Sequence, residues 1–332
     1  MRVALDAMGG DAAPAVTAVG AVAAAAAGTT VVLVGREALV RTELAKHRHA
    51  AALPLEVVDA PQVIEMHEHP ANAVRQKREA SINVAMRLVK EGRADALFSA
   101  GNSGAILASA LFTLGRIEGV HRPAIGAVVP LLKGRVFLVD AGANADCDAH
   151  HLLQFAQMGA AYMEHVFGVQ RPRVGLVSTG EEATKGNALV LAAHTVLKAS
   201  GLNFVGNVEG KDVTRGAADV AVCDGFTGNV MLKLAEGVQE LSFDLIRSAV
   251  MSKLAYRLAG AVLRPGLRAA ARRLDYTEYG GAPLVGVRGP VFIGHGRSNA
   301  KAIANGIRAA TEAARGDLVG KLQAGLAATV VV

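Results

Sequence analysis

Five times along this chain a short apolar run ends in a glycine- and asparagine-rich turn that passes into a helical segment. Leu97-Phe98-Ser99 runs into Ala100-Gly101-Asn102-Ser103-Gly104, and Val136–Val139 runs into Asp140-Ala141-Gly142-Ala143-Asn144. Val174–Val177 leads to Ser178-Thr179-Gly180-Glu181-Glu182-Ala183-Thr184-Lys185-Gly186-Asn187. Val220–Val222 precedes Cys223-Asp224-Gly225-Phe226-Thr227-Gly228-Asn229, and Val291–Ile293 precedes Gly294-His295-Gly296-Arg297-Ser298-Asn299. Glycine lets the backbone take positive φ and approach a ligand closely. A helix that starts at such a turn offers unpaired N–H groups and the positive end of its dipole, which suits an anion. A single copy reads as a βα loop whose asparagine caps a helix or tolerates the left-handed region. Five copies, several carrying hydroxyls or Lys185, point instead to a site for phosphate or another oxyanion.

The intervening chain alternates apolar runs with helical pattern. Strands are expected at 2–6, 30–34, 55–59, 95–99, 125–130, 135–140, 173–178, 203–207, 218–223 and 290–294. Helices are expected at 14–27, 79–91, 104–114, 149–168 and 187–200. This alternation predicts an α/β fold with a mainly parallel sheet and helices on both faces. Ligands in such sheets bind beyond the carboxyl ends of the strands, where all five turns fall. The turns carrying Lys185 and Asn229 are expected to converge on one cleft, and no fixed period suggests a solenoid.

One stretch breaks the rhythm. From Thr227 to about Asp275 only helical pattern is present, interrupted at Pro265-Gly266, with Leu258–Leu263 as an apolar middle. Arg247, Lys253, Arg257, Arg264, Arg268, Arg272 and Arg273 flank it. A helical hairpin over 240–275 is predicted, projecting from a single domain of residues 1–332, with Leu258–Leu263 at its tip. The tip is too short to span a bilayer, but Leu258, Val262 and Leu263 suit the interface, with Arg264 and Arg268 against anionic headgroups. A carrier or dimer contact is the alternative use of the same surface.

Composition narrows the class. At 52% hydrophobic and 19% charged residues, the chain has ample core material, drawn from Ala, Val and Gly more than from aromatics. A net charge of +6 suits an acidic protein, an anionic membrane or nucleic acid. Cys147 and Cys223 are the only cysteines, without metal or redox spacing, so a reducing cytoplasm is expected and packed thiols are preferred to nucleophiles. Met1-Arg2 enters a strand directly, and Gly20–Ala27 reads as a packed helix and not as a signal peptide.

Named phosphate motifs fit poorly. The P-loop pattern is missing, since Lys185 precedes its glycine, and Asn299 stands where a dinucleotide fingerprint needs its third glycine. Lys185, in a Gly/Thr/Asn loop beside Glu181 and Glu182, is placed to neutralise a phosphate or a developing transition-state charge. His67 and His69 lack companion ligands, and His150 and His151 begin a helix, so no metal is assigned.

Taken together, the segments resemble the bacterial phosphate acyltransferase family of phospholipid synthesis. The resemblance runs through MRVALDAMGGDAAP, HPANAVRQKREAS, ADALFSAGNSGA, GRIEGVHRPAI, DAGANADC, LLQFAQMGAAY, RVGLVSTGEEATKGN, NFVGNVEGKD, CDGFTGNV and YGGAPLVGVRGPVFIGHG, in order over essentially the whole chain. Departures are mild: Ser103 stands where threonine is usual, and Ala80-Ser81 where a serine pair is common.

The resemblance implies a three-layer α/β/α sandwich like that of isopropylmalate dehydrogenase and phosphotransacetylase. It implies transfer of a fatty acyl group from acyl-acyl carrier protein to inorganic phosphate, with no cofactor, giving acyl-phosphate. It further implies a cytoplasmic homodimer working against the inner membrane and feeding a membrane glycerol-3-phosphate acyltransferase. An acidic carrier, and no nucleic acid, then accounts for the basic balance. The family's catalytic lysine and asparagine map onto Lys185 and Asn229. Phosphate attacks the thioester directly, so no acyl-enzyme is needed. Gly101, Asn102, Ser103, Gly104, Gly186 and Gly228 are expected to line the phosphate pocket. A decarboxylating dehydrogenase of the same fold and a non-catalytic membrane scaffold are the rival readings.

Overall fold

The computed structural model describes residues 1–273, 278 and 280–329. Asp275 of the expected hairpin and Tyr279 of the last resembling segment lie outside these residues, as do the side chains of Arg272 and Arg273. The strands are β1 Arg2–Asp6, β2 Thr30–Gly35, β3 Leu55–Asp59, β4 Ala96–Ser99, β5 Ala124–Pro130 and β6 Arg135–Val139. They continue with β7 Val174–Val177, β8 Phe204–Val208, β9 Val220–Val222, β10 Ala282–Val285 and β11 Val291–Ile293. The helices of the first half are α1 Ala15–Ala26, α2 Glu37–Ala45, α3 Pro70–Gln76, α4 Ser81–Lys90, α5 Ser103–Thr113 and α6 Ala149–Phe167. Those of the second half are α7 Ala188–Lys198, α8 Gly210–Arg215, α9 Gly225–Met251, α10 Leu254–Arg273, α11 Ala300–Arg315 and α12 Leu318–Thr329.

All strands join one 11-stranded sheet in the order β3-β2-β1-β4-β11-β10-β5-β6-β9-β7-β8. The fold is α/β in three layers. Helices α1, α2, α6, α7, α11 and α12 cover one face, while α3, α4, α5, α8 and the start of α9 cover the other. Small residues let these helices sit close: a Cβ on Gly20 of α1 would lie 2.5 Å from Ile303 of α11.

The pairing is mainly parallel, yet the sheet changes direction at its centre. β10 is antiparallel to both β11 and β5, and β5 is antiparallel to β6. The block β1–β4 with β11 therefore runs one way, and β6 to β9 run the other. The turns after β4 and β11 open at one edge of the sheet; those after β6, β7 and β9 open at the opposite edge. β10 was not expected from the sequence. It has four residues, and Pro283, paired with Phe292, cannot donate to the ladder.

Helices α9 and α10 form an excursion with few attachments to the sheet. Their turn lies at Ser252-Lys253, which corrects the expected tip: Leu258–Leu263 belongs to the returning helix. Gly260 of α10 packs on Val250 of α9, where a Cβ would come within 2.4 Å. Pro265 lies inside α10 without ending it. Leu258, Val262 and Leu263 are 66%, 80% and 60% exposed, an apolar stem and not a buried seam.

Candidate active site

Most of the asparagines in the glycine turns are consumed by capping. Asn102 Oδ1 accepts from Ala105 N at 3.1 Å, Asn187 from Val190 N at 2.9 Å and Asn299 from Ala302 N at 2.9 Å. The Nδ2 of Asn102 also donates to the carbonyls of Met66 and Glu68 at 3.1 and 3.3 Å, so its side chain locks the turn. The turn after β9 differs. Asp224 takes the capping role, accepting from Thr227 N at 2.8 Å, and Asn229 sits one turn into α9. The amide of Asn229 is exposed and makes no hydrogen bond among the described residues.

Two buried carboxylates hold the turns in shape. Asp6, 3% exposed at the end of β1, accepts from Ser99 Oγ at 2.7 Å and Met8 N at 3.2 Å. Ser99 Oγ in turn accepts from Gly101 N at 3.1 Å, tying the β1 and β4 turns together. Burial raises the Asp6 carboxyl above its ordinary range, against the opposing pull of these donors. Asp140, fully buried after β6, accepts from the backbone N–H groups of Ile125, Gly142, Ala143 and Asn144 at 2.7–3.1 Å. The Nδ2 of Asn144 adds a further bond at 2.9 Å. Here too burial raises the carboxyl. The start of α9 then docks on this turn, with Gly142 facing Asn229 and Gly228 against the Asp140 carbonyl.

From that anchor α9 runs across the sheet face toward the other edge, where its Lys233 meets His295 of the β11 turn. The helix thereby closes a cleft of about 410 Å³ that contains groups from both sheet edges. Gly101, Ser103, Gly142, Asn229, Lys233, Glu236, His295 and Ser298 supply its polar lining. Ile125, Ala127, Val129, Leu232 and Ile293 form an apolar wall. Lys233 Nζ lies 2.9 Å from His295 Nε2 and 3.4 Å from Glu236 Oε2. The imidazole of His295, with Lys233 beside it, holds the Glu236 carboxyl below its usual range.

The expected site residues thus divide. Gly101, Ser103 and Asn229 share the cleft; Asn102 caps beside it; Gly104 packs on Pro70 and Gly228 on Asp140. Lys185 and Gly186 lie in the β7 turn, outside the cleft lining, with Lys185 exposed and its carbonyl accepting from Ser178 Oγ at 3.3 Å. Arg264 and Arg268 border a second hollow with Gln239 and Phe243. Lys233, Glu236 and His295 were missed by sequence reasoning as cleft residues. The signal for Lys233 and Glu236 was their spacing from Asn229, which places three polar groups on one helix face; His295 lay in the fifth glycine turn. Burial pushes the Cys147 thiol up to about 11 and the Cys223 thiol well above its ordinary value, so both are protonated at neutral pH.

The same three-layer α/β architecture is found in solved structures of α/β enzymes. A phosphotransacetylase from Streptococcus pyogenes superposes with a TM-score of 0.62 at 18% identity, over 95% of this chain and 94% of that one. A 4-hydroxythreonine-4-phosphate dehydrogenase from Klebsiella pneumoniae gives 0.55 at 17% identity, over 95% and 99%. At such identities the likeness defines the fold alone. The sequence carries the match further. Residues 1–321 fit the family described as fatty acid synthesis protein. A phosphate acyltransferase of Anaeromyxobacter dehalogenans is 52% identical over 94% of this chain and 87% of its own length. That of Dictyoglomus turgidum is 48% identical over 98% of both. The chain belongs to this family, the phosphate acyltransferases of fatty acid and phospholipid synthesis.

Proposed function

We propose that the protein transfers a fatty acyl group from acyl-acyl carrier protein to inorganic phosphate, giving acyl-phosphate for phospholipid synthesis. The observation that carries this reading is the cleft itself. Helices α5 and α11 begin at its polar end, the free amide of Asn229 faces it, and an apolar wall runs beside them. Phosphate suits the first and an acyl chain the second. Phosphate is already a competent oxygen nucleophile, so the protein has to place it against the thioester and stabilise the oxyanion. Asn229 donates hydrogen bonds in that step and Lys185 contributes charge from the neighbouring turn. The two protonated cysteines stay out of it.

The test is incubation of the purified protein with acyl-acyl carrier protein and phosphate, trapping acyl-phosphate with hydroxylamine. Product should form only with phosphate, and Cys147→Ala and Cys223→Ala should both retain turnover. A stable acyl adduct on the protein, chased by added phosphate, would overturn direct attack; no phosphate-dependent product would remove the reading altogether.

The same proposal extends to the surroundings: a cytoplasmic homodimer, peripherally bound to the inner membrane, handing acyl-phosphate to a membrane glycerol-3-phosphate acyltransferase. Among the described residues no helix is long and apolar enough to cross a membrane. In this proposal the excursion serves two contacts. At about 1.5 Å per residue, Leu263 lies roughly 14 Å from the start of α10, beyond the 5–10 Å that an interfacial segment sinks. Met251 and Leu254, 51% and 74% exposed at the turn, are therefore the foot, with Leu258 one helical turn above them. Val262 and Leu263, with Leu241 and Leu245 of α9, suit a second copy of the chain, while Arg264 and Arg268 lie toward the headgroups only if the hairpin tilts. Liposome flotation separates these roles. Met251→Glu with Leu254→Glu should release the protein from anionic vesicles without altering its sedimentation, and Val262→Glu with Leu263→Glu should alter the assembly. Unchanged flotation of the first variant would show that the foot lies elsewhere.

A further inference from the structure

Among the described residues that line the cleft, Lys233 is the one lysine or arginine. Residues 229, 233 and 236 fall on one face of α9, and that face looks onto the turns after β4 and β11. Its Nζ is fixed from two sides. His295 Nε2 lies 2.9 Å away, and the Glu236 carboxylate lies at 3.4 Å with only 13% of its side chain exposed. Glu236 keeps its charge, because the imidazole and the ammonium beside it favour the ionised form. An ammonium has three N–H donors and no acceptor. The contacts to Glu236 and His295 engage at most two of them, so at least one N–H is left for a ligand.

The groups around that N–H are unspent. The hydroxyls of Ser103 and Ser298, like the amide of Asn229, make no side-chain hydrogen bond among the described residues, and all three line the same cleft. Helices α5 and α11 direct their N-terminal amides to the same end. Lys233 thus adds a point charge where two helix dipoles and three free polar groups meet, an arrangement suited to a tetrahedral oxyanion.

We infer that Lys233, held by His295 and Glu236, is the residue whose charge binds inorganic phosphate in this cleft. The inference rests on the acyl-transfer reading for its role in turnover, but phosphate binding itself is independent of the acyl donor.

The test therefore has two arms. In the first, inorganic phosphate is titrated into the full chain by calorimetry, with no donor present. Wild type should bind. Lys233→Met should weaken binding by about tenfold or more, as expected for loss of a charged hydrogen bond, and Lys233→Arg should keep most of it. The side chain is half exposed, so neither change should disturb the fold, which circular dichroism checks. In the second arm, Lys233→Met should raise the KM for phosphate by a similar factor while the KM for the acyl donor stays within about twofold. Wild type that binds no phosphate, or Lys233→Met binding as wild type does, would overturn the assignment. Equal rises in both KM values would also overturn it, since they mark a general disturbance of the cleft. Lys233-dependent phosphate binding without acyl-phosphate formation would leave this site standing and remove the acyl-transfer reading instead.

Discussion

Gly228→Ala should be severely damaging for so conservative a change. A Cβ there would lie 1.9 Å from the carbonyl oxygen of Asp140 and 3.0 Å from Cys223 Sγ. Neither neighbour is a flexible side-chain end. Asp140 is held by its carboxylate to four backbone amides and to Asn144, so its carbonyl cannot retreat without breaking that set. Overpacking of a close-fitted site costs about 1–3 kcal/mol, and more where backbone has to move. A loss of about 3 kcal/mol in urea unfolding is expected, with activity falling as α9 shifts off the β6 turn. Gly237→Ala supplies a control of opposite sign on the same helix. Nothing lies within 4 Å of its would-be Cβ, so the change should add about 0.5–1 kcal/mol of helix stability. Equal unfolding midpoints for Gly228→Ala and wild type would show that α9 is not seated on the Asp140 turn.

Asn229→Ala and Lys185→Ala should each stay folded and lose turnover by about 10²–10³, the usual effect of removing a preorganised donor or charge. The folding half of this expectation comes from exposure: both residues are exposed and, among the described residues, neither side chain supports a neighbour by hydrogen bonding. The catalytic halves differ in their structural support. Asn229 faces the cleft with its amide unspent, whereas Lys185 lies in the β7 turn, one strand beyond the β9 turn that carries Asn229. Near-normal turnover in Lys185→Ala, with Asn229→Ala inactive, would move the cationic role from the β7 turn to Lys233. Near-normal turnover in Asn229→Ala would remove the amide from the chemical step.

What the sequence determined by itself was local. Short continuous apolar runs placed ten of the strands to within about two residues, because burial on both faces of a covered sheet leaves an unbroken apolar run in the chain itself. Glycine, asparagine and aspartate marked the ends of β4, β6, β7, β9 and β11, because positive φ and capping are demands of a few adjacent residues. Even the caps were legible, though not which asparagine would be left free. That depended on Asp224 taking the capping role and releasing Asn229.

Tertiary structure decided the rest. β10 is a strand only because β11 and β5 flank it; Ala282–Val285, interrupted by Pro283, carries no pattern of its own. The turn of the excursion fell at Ser252-Lys253, without glycine or proline, while Pro265-Gly266 stayed helical. An exposed helix tolerates proline there, since residue 261, whose carbonyl loses its donor, is itself exposed to solvent. Above all, strand direction is a property of pairing and not of composition. Two antiparallel steps at β10 and a third between β5 and β6 sent the glycine turns to opposite edges of the sheet. Only the path of α9, fixed at one edge by Asp140 and reaching the other at His295, set Asn229 and Lys233 beside Gly101 and Ser103. Residues more than 100 positions apart share that cleft because a helix crosses a sheet, and no local property of the chain records such a crossing.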